Sequence, residues 1–403
     1  MIPPAEAERL ILEAMRPLPM EECPLGQAHG RILRSELRAD RDLPPFDRVA
    51  MDGYALRCSD LARGDRRFKV LAVQAAGASP IRLDRAPGAC VETMTGAVLP
   101  EGADCIVPYE EASRDGDIVS IGRLDAARPG QAIHPRGSDR RGGDPIVPPG
   151  VRLTGVEIAI AAACGYATMT VSRSPRIGIV ATGDELVEVG GPVAPHQIRR
   201  SNDYALRASL AAAGYPWAER FHARDDAGEL EHLLWHILAE YDAVVLTGGV
   251  SRGRFDHVPQ ELERQGVRGI VHGIAQRPGK PFWFGVSGCG TPVFGLPGNP
   301  VSSYCCLHRY VVPALDRASG LEPGVRPLAA LAATHRSGTG GRLASLLPVR
   351  LSSGAGAELE AAPAPGNTSG DFAGLAGTGG FLELPAGPEE FAVGYCAPLY
   401  RWF

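Results

Sequence analysis

A glycine-rich loop at residues 247–256 combines backbone amides, hydroxyls and a carboxylate. It reads Thr-Gly-Gly-Val-Ser-Arg-Gly-Arg-Phe-Asp. Glycines let successive amides converge on an oxyanion. Asp256 beside such an anion favours a divalent cation, because Mg²⁺ typically bridges one or two carboxylates and substrate phosphates. Asp184, Glu185 and Asp242 are candidates for the other carboxylates. The loop by itself leaves phosphate binding and a plain tight turn equally open.

A second loop, residues 295–303, reads Gly-Leu-Pro-Gly-Asn-Pro-Val-Ser-Ser. Pro-Gly-Asn-Pro opening a helix aims backbone amides and the Ser302 hydroxyl at one place, where the helix dipole favours an anion. With Arg277 and Lys280 this predicts a cationic pocket. The alternative is a helix capped by Asn299 with Pro300 at its first position, which explains the shape but not the cations.

Lys280 is one of two lysines in a chain with 39 arginines. A lysine ammonium is a compact point charge, whereas a guanidinium is a planar fork, so a retained lysine indicates that its own geometry is needed. Chance retention is the alternative.

A third group of polar residues lies in the N-terminal half. Asp47 and Asp52 flank a short apolar stretch within residues 43–55, and polar turns follow at 94–97, 100–104 and 136–139. On spacing alone, solvated turns are favoured for this group.

The α/β pattern begins at about residue 175. Apolar runs at 177–181, 243–246, 282–286 and 292–296 predict strands, and helices are expected from Ser201 to Gly214 and over about 227–241, from 259, and over 300–319. Such alternation indicates a mostly parallel sheet covered on both faces. Ligands bind beyond the carboxyl ends of its strands. The glycine-rich loops 182–185, 247–256 and 296–300 are therefore expected to meet there.

The whole chain is predicted to be a multi-domain α/β plus β protein. We expect an N-terminal region at 1–174 with a β-rich insert at about 55–140, a central three-layer α/β domain with a mostly parallel sheet at 175–320, and a small all-β C-terminal domain at 326–403. Residues 321–330 are predicted to be a linker.

Composition favours a reduced, cytoplasmic globular protein. The 403 residues carry a net charge of −5, which gives no reason to expect nucleic acid or an acidic membrane as partner. No apolar run is long enough to span a bilayer, and the acidic N-terminus is unlike a signal peptide. Nine cysteines without a Cys-x-x-Cys pair argue against a disulfide framework or a structural zinc site.

Several stretches, taken together, resemble the molybdopterin molybdenumtransferases, which include bacterial MoeA proteins and the E domain of gephyrin and its plant counterpart. They are LPPFDRVAMDGYAL (43–56), TMTGAVLPEGADCIVP (93–108), PRIGIVATGDEL (175–186), LTGGVSRGRFD (246–256), RPGKPFWFG (277–285) and FGLPGNPVSS (294–303). They follow the family order, and residues 366–387 resemble its last domain.

The resemblance implies a homodimer with four domains per protomer, in which a cleft forms between the α/β domain of one protomer and the N-terminal region of the other. Adenylylated molybdopterin would meet molybdate there, and Mg²⁺-dependent cleavage of the adenylate would release AMP and leave molybdenum on the dithiolene. A molybdopterin adenylyltransferase and apo-molybdoenzymes or their chaperones are possible protein partners.

Roles for individual residues follow from the same resemblance. Glu185, Asp242 and Asp256 would serve catalysis and the metal, and Arg277, Lys280, Ser302, Arg342 and Ser369 would hold molybdate. Further substrate-binding positions are Thr182, Asp184, Gly248, Gly249, Ser251, Pro297, Gly298, Asn299 and Pro300. Asp52, Thr95 and Asp139 would reach the cleft from the partner protomer.

The chain also departs from the family pattern. Arg48 and Val49 stand where the family commonly has Asn and Ser. Thr247 stands where a Ser is common, and Ser138 stands where a Glu is common. Arg252 and Arg254 replace an apolar or small residue and an acidic one. Two extra cations beside Asp256 would weaken Mg²⁺ binding or tighten phosphate binding.

Two other classes of function stay open. A diverged paralogue could handle tungstate, which is nearly the same size and charge as molybdate, or act as a non-catalytic scaffold. A molybdopterin adenylyltransferase is a nearer enzyme, but that family usually has Thr-Gly-Gly-Thr-Gly where this chain has Thr-Gly-Gly-Val-Ser. The recipient apo-enzyme is not predicted.

Overall fold

A computed structural model describes residues 1–83, 87–122, 127–224, 226–250, 258–354, 358–364 and 366–402. The chain divides into two compact units. One contains Met1–Arg34, Gly150–Thr154 and Thr168–Phe403, and the other contains Ser35–Pro149 and Gly155–Ala167. Among the described residues, none of the helices combines the length and the apolar character needed to cross a bilayer.

The smaller unit is built on a mixed sheet. Its strands follow the order Cys105–Pro108, Gly53–Leu56, Ala89–Thr93, Arg67–Gln74, Ile118–Ile121 and Ala112–Asp115. Two short ribbons pair Arg48–Val49 with Ile133–His134 and Leu37–Arg38 with Pro145–Val147. Helices span Cys58–Ala62 and Gly155–Ala163. Five of the six strands of this sheet lie within residues 55–140, where the sequence predicts β structure.

The larger unit contains the predicted α/β sheet. Its strands follow the order Ala218–Ala223, Ile177–Thr182, Ala243–Thr247, Pro292–Leu296, Trp283–Val286 and Arg268–His272. The first four run parallel, and the last two are antiparallel to their neighbours. The expectation of a mostly parallel sheet thus holds for four strands, while one edge is antiparallel.

Helices of this unit pack on both faces of the sheet. Along one strand, Ile179 faces a core shared with Leu210, whereas Val180 faces a second core shared with Leu234. This alternation follows from the two-residue period of a strand. The helices span Asn202–Ala212, Ala227–Glu240, Val258–Arg264, Pro300–Cys306 and Val312–Ala318.

The helix ends differ in how they are capped. Asp226 caps the helix Ala227–Glu240 by accepting a hydrogen bond from the Glu229 amide at 2.9 Å. Ser201, the predicted cap of the preceding helix, makes no such side-chain bond, although that helix ends as expected before Gly214 with φ +91°. The helix predicted over 300–319 is interrupted by a π-helical turn, Leu307–Val311. Pro313 follows this turn and lacks the amide that would continue regular hydrogen bonding.

The remaining elements of the larger unit flank this sheet. An N-terminal helix spans Pro4–Ala14, and Met20–Pro24 pairs with Thr168–Ser172 in an antiparallel ribbon. Short strands Leu186–Val187 and Ile198–Arg199 run parallel. A further sheet follows the order Gln276–Arg277, Ala344–Ser353, Leu359–Pro363, Leu328–Leu331, Cys396–Arg401 and Gly380–Leu384, and His335–Arg336 pairs with Glu390–Phe391. The predicted linker over 321–330 is too long, because a strand begins at Leu328.

A buried arginine joins three of these elements. Arg309, on the π-helical turn, is 2% exposed. Its Nη2 lies 3.0 Å from Glu8 of the N-terminal helix, and its Nε donates to Glu383 of strand Gly380–Leu384 at 2.5 Å. A charge removed from water must be paired, and two carboxylates serve that purpose here.

Candidate functional site

A cavity of about 610 Å³ opens at the carboxyl edge of the parallel strands. The adjacent strands Ile177–Thr182, Ala243–Thr247 and Pro292–Leu296 end at this edge. The loops predicted to meet there contribute Thr182, Gly183, Glu185, Thr247, Gly248, Gly249, Val250, Pro297, Gly298, Asn299 and Pro300. The structure therefore brings most of the predicted substrate-binding residues together.

Two glycines let the strand ends approach closely. Gly248 and Gly249 have φ values of +96° and +65°. A Cβ atom on Gly248 would lie 2.7 Å from the Thr182 carbonyl oxygen, and one on Gly249 would lie 2.7 Å from Val258 Cγ2. Any side chain at either position would displace backbone or core atoms. The Gly248 amide donates to the Leu296 carbonyl oxygen at 3.2 Å, so this close approach fixes the path of the loop where it lines the cavity.

The Thr182 hydroxyl is a buried polar group at this edge. Thr182 is 6% exposed, and within the described residues its Oγ1 has no hydrogen-bond partner. This oxygen is closed off from solvent beneath the glycine loop, since a Cβ atom on Gly248 would lie 2.8 Å from it. A substrate role for Thr182 stays a prediction.

Asn202 is a site residue that the sequence analysis missed. Its Nδ2 donates to Thr247 Oγ1 at 2.9 Å and to the Gly298 carbonyl oxygen at 2.8 Å. One amide thereby links the loop after strand Ala243–Thr247 to the Pro-Gly-Asn-Pro loop. The signal in the sequence is modest, since Asn202 directly follows the predicted N-cap Ser201.

Arginine side chains also reach this cavity. Arg199, Arg200 and Ser201 are among its lining residues. Arg200 Nη1 pairs with Glu188 at 3.1 Å, and its Nη2 donates to the buried Asp203. The paired Arg200 is held in place, which suits a fixed cationic wall.

The predicted molybdate residues lie on loops joined by hydrogen bonds. Asn299 Nδ2 donates to Ser369 Oγ at 2.8 Å, and the Val301 amide donates to the Ser369 carbonyl oxygen at 3.1 Å. Ser302, in the same helix turn, is 3% exposed. Gly370, next to Ser369, lines the cavity. These contacts place Ser369 beside the Pro-Gly-Asn-Pro loop, and its role in holding molybdate stays a prediction.

The cationic members occupy two neighbouring turns. Arg277 Nη1 donates to the Gly338 carbonyl oxygen at 3.0 Å, which ties it to the turn that carries Arg342. Lys280 and Arg342 are exposed, and Pro281, next to Lys280, lines the cavity. These cations are thus available to an anion from solvent.

The predicted acidic residues separate into three groups. Glu185 lines the cavity, and its carboxylate folds back over Gly183, where a Cβ would lie 2.5 Å from Glu185 Oε2. Asp184 is an exposed neighbour on the same loop. Asp256 and Ser251, with Arg252 and Arg254, lie outside the described residues.

The prediction that Asp242 joins this cluster is wrong in its geometry. Asp242 precedes strand Ala243–Thr247 and so lies at its amino end, about 17 Å along the strand from Thr247 at the cavity, at 3.3 Å per strand residue. Its two oxygens accept from Arg173 Nη1 and Nη2 at 3.0 and 2.5 Å, and Oδ2 also accepts from the Arg176 amide at 2.8 Å. These contacts give Asp242 a structural role.

Oxygen donors suit the magnesium ion that the resemblance implies. At the cavity, the Glu185 carboxylate offers hard oxygen ligands of the kind that Mg²⁺ prefers. This carboxylate fits such an ion, and Asp256, the other predicted ligand, lies outside the described residues.

In the smaller unit, Asp52 and Thr95 form a local pair. The Thr95 amide and hydroxyl donate to Asp52 Oδ1 at 2.6 and 2.7 Å. These bonds hold the pKa of Asp52 below its usual range, the hydroxyl being the larger cause. Asp52 is therefore ionised at neutral pH.

Asp139 belongs to a second local group in that unit. Arg48 Nη2 donates to His134 Nδ1 at 2.9 Å, and His134 Nε2 lies 2.9 Å from Asp139 Oδ1. Because Nδ1 accepts, Nε2 carries the proton and donates to Asp139. Arg48, one of the departures from the family pattern, thus orients Asp139. Val49, another departure, is fully buried in the core of this unit.

A small cluster of Cys58, Asp104 and Cys105 also lies in this unit, with ligand atoms within 4.8 Å of one another. Burial raises the pKa of both thiols, and Asp104 accepts from the Cys58 amide at 2.7 Å. Neutral thiols and a helix-capping carboxylate account for the cluster.

Comparisons with known proteins cover nearly the whole chain. Residues 2–165 match the family described as the MoeA N-terminal region (domain I and II), and residues 178–317 match a probable molybdopterin binding domain. The molybdopterin molybdenumtransferase of Synechocystis sp. is 40% identical over 376 residues, which is 93% of each chain. Molybdopterin molybdenumtransferase 2 of Mycobacterium tuberculosis is 33% identical over 399 residues, 96% of each chain.

Solved structures match over the same length. One MoeA protein structure from Pyrococcus horikoshii gives a TM-score of 0.84 at 26% identity and covers 99% of both chains. Another gives a TM-score of 0.81 at 31% identity and covers 100% of this chain and 99% of that one. With this similarity in sequence and fold along its length, the chain belongs to the molybdopterin molybdenumtransferase (MoeA) family.

Proposed function

We propose that this chain inserts molybdenum into molybdopterin during molybdenum cofactor biosynthesis. The substrates are adenylylated molybdopterin and molybdate, and the products are AMP and molybdenum cofactor. The supporting observation is the cavity at the carboxyl ends of the parallel strands, which is lined by the Gly248-Gly249 loop, Glu185 and the Pro-Gly-Asn-Pro loop together. Relatives of this chain carry the name of that activity.

Molybdate is a tetrahedral dianion, which suits a ring of cations and hydroxyls. We assign this ring to Arg277, Lys280, Ser302, Arg342 and Ser369. The hydrogen bonds of Ser369 with Asn299, which lines the cavity, and of Arg277 with Gly338 support the assignment, because they hold these two side chains in place.

The adenylate phosphate is assigned to the adjoining loops. The Gly249 amide and the start of the helix Pro300–Cys306 are proposed to favour negative charge there. When bound, Mg²⁺ neutralises charge that develops on the phosphate during cleavage. Glu185, together with Asp256 outside the described residues, is proposed to hold it, and Asp242 is left out of this set.

Further parts of the proposal concern assembly. We propose a homodimer in which Asp52, Thr95 and Asp139 of a second copy complete the site, and a cytoplasmic location. We also propose a three-layer α/β domain at 175–320, followed by a C-terminal β domain at 326–403. An apo-molybdoenzyme or its chaperone would take the product.

The direct test is to incubate the purified chain with adenylylated molybdopterin, molybdate and Mg²⁺ while AMP and cofactor are measured. Molybdate-dependent release of AMP together with active cofactor is expected. Replacing molybdate by tungstate in a parallel reaction measures the preference between the two anions. Consumption of ATP with free molybdopterin would instead identify an adenylyltransferase, and neither reaction would identify a scaffold.

A further inference from the structure

A buried amide lies beneath the turn that carries Lys280. Gln276 is fully buried, and its Nε2 donates to the Pro278 carbonyl oxygen at 3.1 Å and to Cys306 Sγ at 3.6 Å. The Tyr310 hydroxyl donates to Gln276 Oε1. Burial raises the pKa of Tyr310, so this hydroxyl keeps its proton. Both ends of the Gln276 amide are therefore occupied.

The turn at residues 278–280 packs closely against Gln276 and Cys306. Gly279 has φ +94°, and a Cβ there would lie 2.5 Å from Gln276 Nε2 and 2.6 Å from Cys306 Sγ. The Lys280 carbonyl oxygen accepts from the Ile274 amide at 2.9 Å. The backbone of residues 278–280 is thus held by hydrogen bonds from Gln276 and the Ile274 amide, whereas the Lys280 side chain is exposed.

We propose that Gln276 is a positioning residue for the oxyanion site, which holds the backbone at 278–280 and thereby directs the Lys280 ammonium toward the anion. This inference rests on the proposed function. A lysine stem has four flexible carbons, so the placement of its Cα limits where the charge can reach. The Tyr310 hydroxyl, on the π-helical turn, holds the Gln276 side chain through its hydrogen bond to Oε1.

The composition of the chain offers a direct readout. Reductive methylation with ¹³C-formaldehyde labels lysines and retains their charge, and the chain has two, Lys69 and Lys280. The variant Lys69→Arg assigns the two resonances, apart from that of the N-terminal amine. Titration of the full chain with molybdate is expected to shift the Lys280 resonance and to leave that of Lys69 unchanged.

Gln276→Leu removes all three hydrogen bonds of this side chain at nearly constant volume. We expect it to raise the molybdate dissociation constant about tenfold and to raise the KM for molybdate equally, while the KM for adenylylated molybdopterin stays within about twofold. The matched control is Gln74→Leu. Gln74 is also fully buried and donates to the Ala78 and Ser79 carbonyl oxygens at 3.2 Å, but it lies in the other unit.

The outcomes separate this inference from the proposed function. If Lys280 responds to molybdate in the wild type and Gln276→Leu responds with the same affinity, Gln276 has no positioning role. If Lys280 does not respond in the wild type, the assignment of Lys280 to the anion site fails and the inference fails with it. Should Gln276→Leu not fold, Tyr310→Phe loses one hydrogen bond and is expected to weaken molybdate about threefold, and unchanged affinity there would overturn the inference.

Discussion

The Asn202 side chain donates a hydrogen bond to the Thr247 hydroxyl at 2.9 Å, across 45 residues of sequence. The same nitrogen donates to Gly298, so one amide sets the spacing of two loops at the cavity. In the family pattern a serine is common at position 247. Threonine keeps the hydroxyl that Asn202 needs, which explains why this departure is mild.

Asn202→Ala is expected to lower kcat/KM about 10- to 100-fold, because both loops lose their shared donor. Steady-state assay of AMP release measures the effect. The matched control is Gln265→Ala, which removes an amide donating to the Glu231 carbonyl oxygen at 2.8 Å away from the cavity. Equal losses in both variants would mean that Asn202 acts through general stability alone.

Thr182→Val should separate binding from stability. The Thr182 hydroxyl has no partner among the described residues, so its removal is expected to leave the free energy of unfolding unchanged or to raise it by about 1 kcal/mol. The KM for adenylylated molybdopterin should rise about tenfold if the hydroxyl contacts the substrate. Chemical denaturation and kinetics on the same preparation test both parts. A stability loss with normal kinetics would contradict this reading.

Asp242→Asn and Glu185→Gln are expected to have opposite effects. The first breaks a two-fold contact with Arg173 and should lower the free energy of unfolding by about 1–2 kcal/mol, with kcat within about threefold of the wild type. The second should lower kcat at least about 100-fold without loss of stability, because Glu185 lines the cavity. Thermal unfolding and AMP release distinguish the two. A loss of kcat of about 100-fold or more in Asp242→Asn would mean that Asp242 belongs to the catalytic site.

Acid should destabilise the larger unit through His308. Burial lowers the pKa of His308 to about 4, below its usual 6.5, and its ring packs between Tyr304 and Trp402. The unfolded chain therefore binds the extra proton first as pH falls. The contribution of neutral His308 to the free energy of unfolding is complete above pH 6.5. As pH falls from 6.5 to 4, the free energy of unfolding decreases by about 3 kcal/mol.

Urea denaturation at several pH values tests this expectation. His308→Phe keeps an aromatic ring at the position and should flatten the pH dependence in that window. An unchanged pH profile in His308→Phe would assign the acid sensitivity to other groups.

The sequence predicted well those features that depend on neighbours along the chain. Strand Ile177–Thr182 was expected from a continuous apolar run, and the meeting of three glycine-rich loops followed from the rule that parallel strands present their carboxyl ends together. Asn202 was missed because its partners are 45 and 96 residues away. The π-helical turn was missed because one wider turn barely alters helical periodicity.

Asp242 gives a different lesson. It precedes its strand, so the direction of the chain places it at the amino end, whereas Asp184 and Glu185 follow theirs; grouping the three carboxylates by their nearness to strand ends overlooks this difference. Asp52 and Asp139 were assigned local turns correctly, but the histidine and threonine that hold them depend on tertiary contacts. Their roles in a second copy stay predictions.

The contacts of Arg309 bear on the order in which the larger unit can be completed. During synthesis, Glu8 leaves the ribosome long before Arg309, and Glu383 leaves 74 residues after it. Until that strand arrives, a buried guanidinium has one of its two counter-charges. Glu8 can pair with Arg309 before Glu383 is available, so a chain interrupted before Glu383 would carry an incompletely neutralised cation at this position.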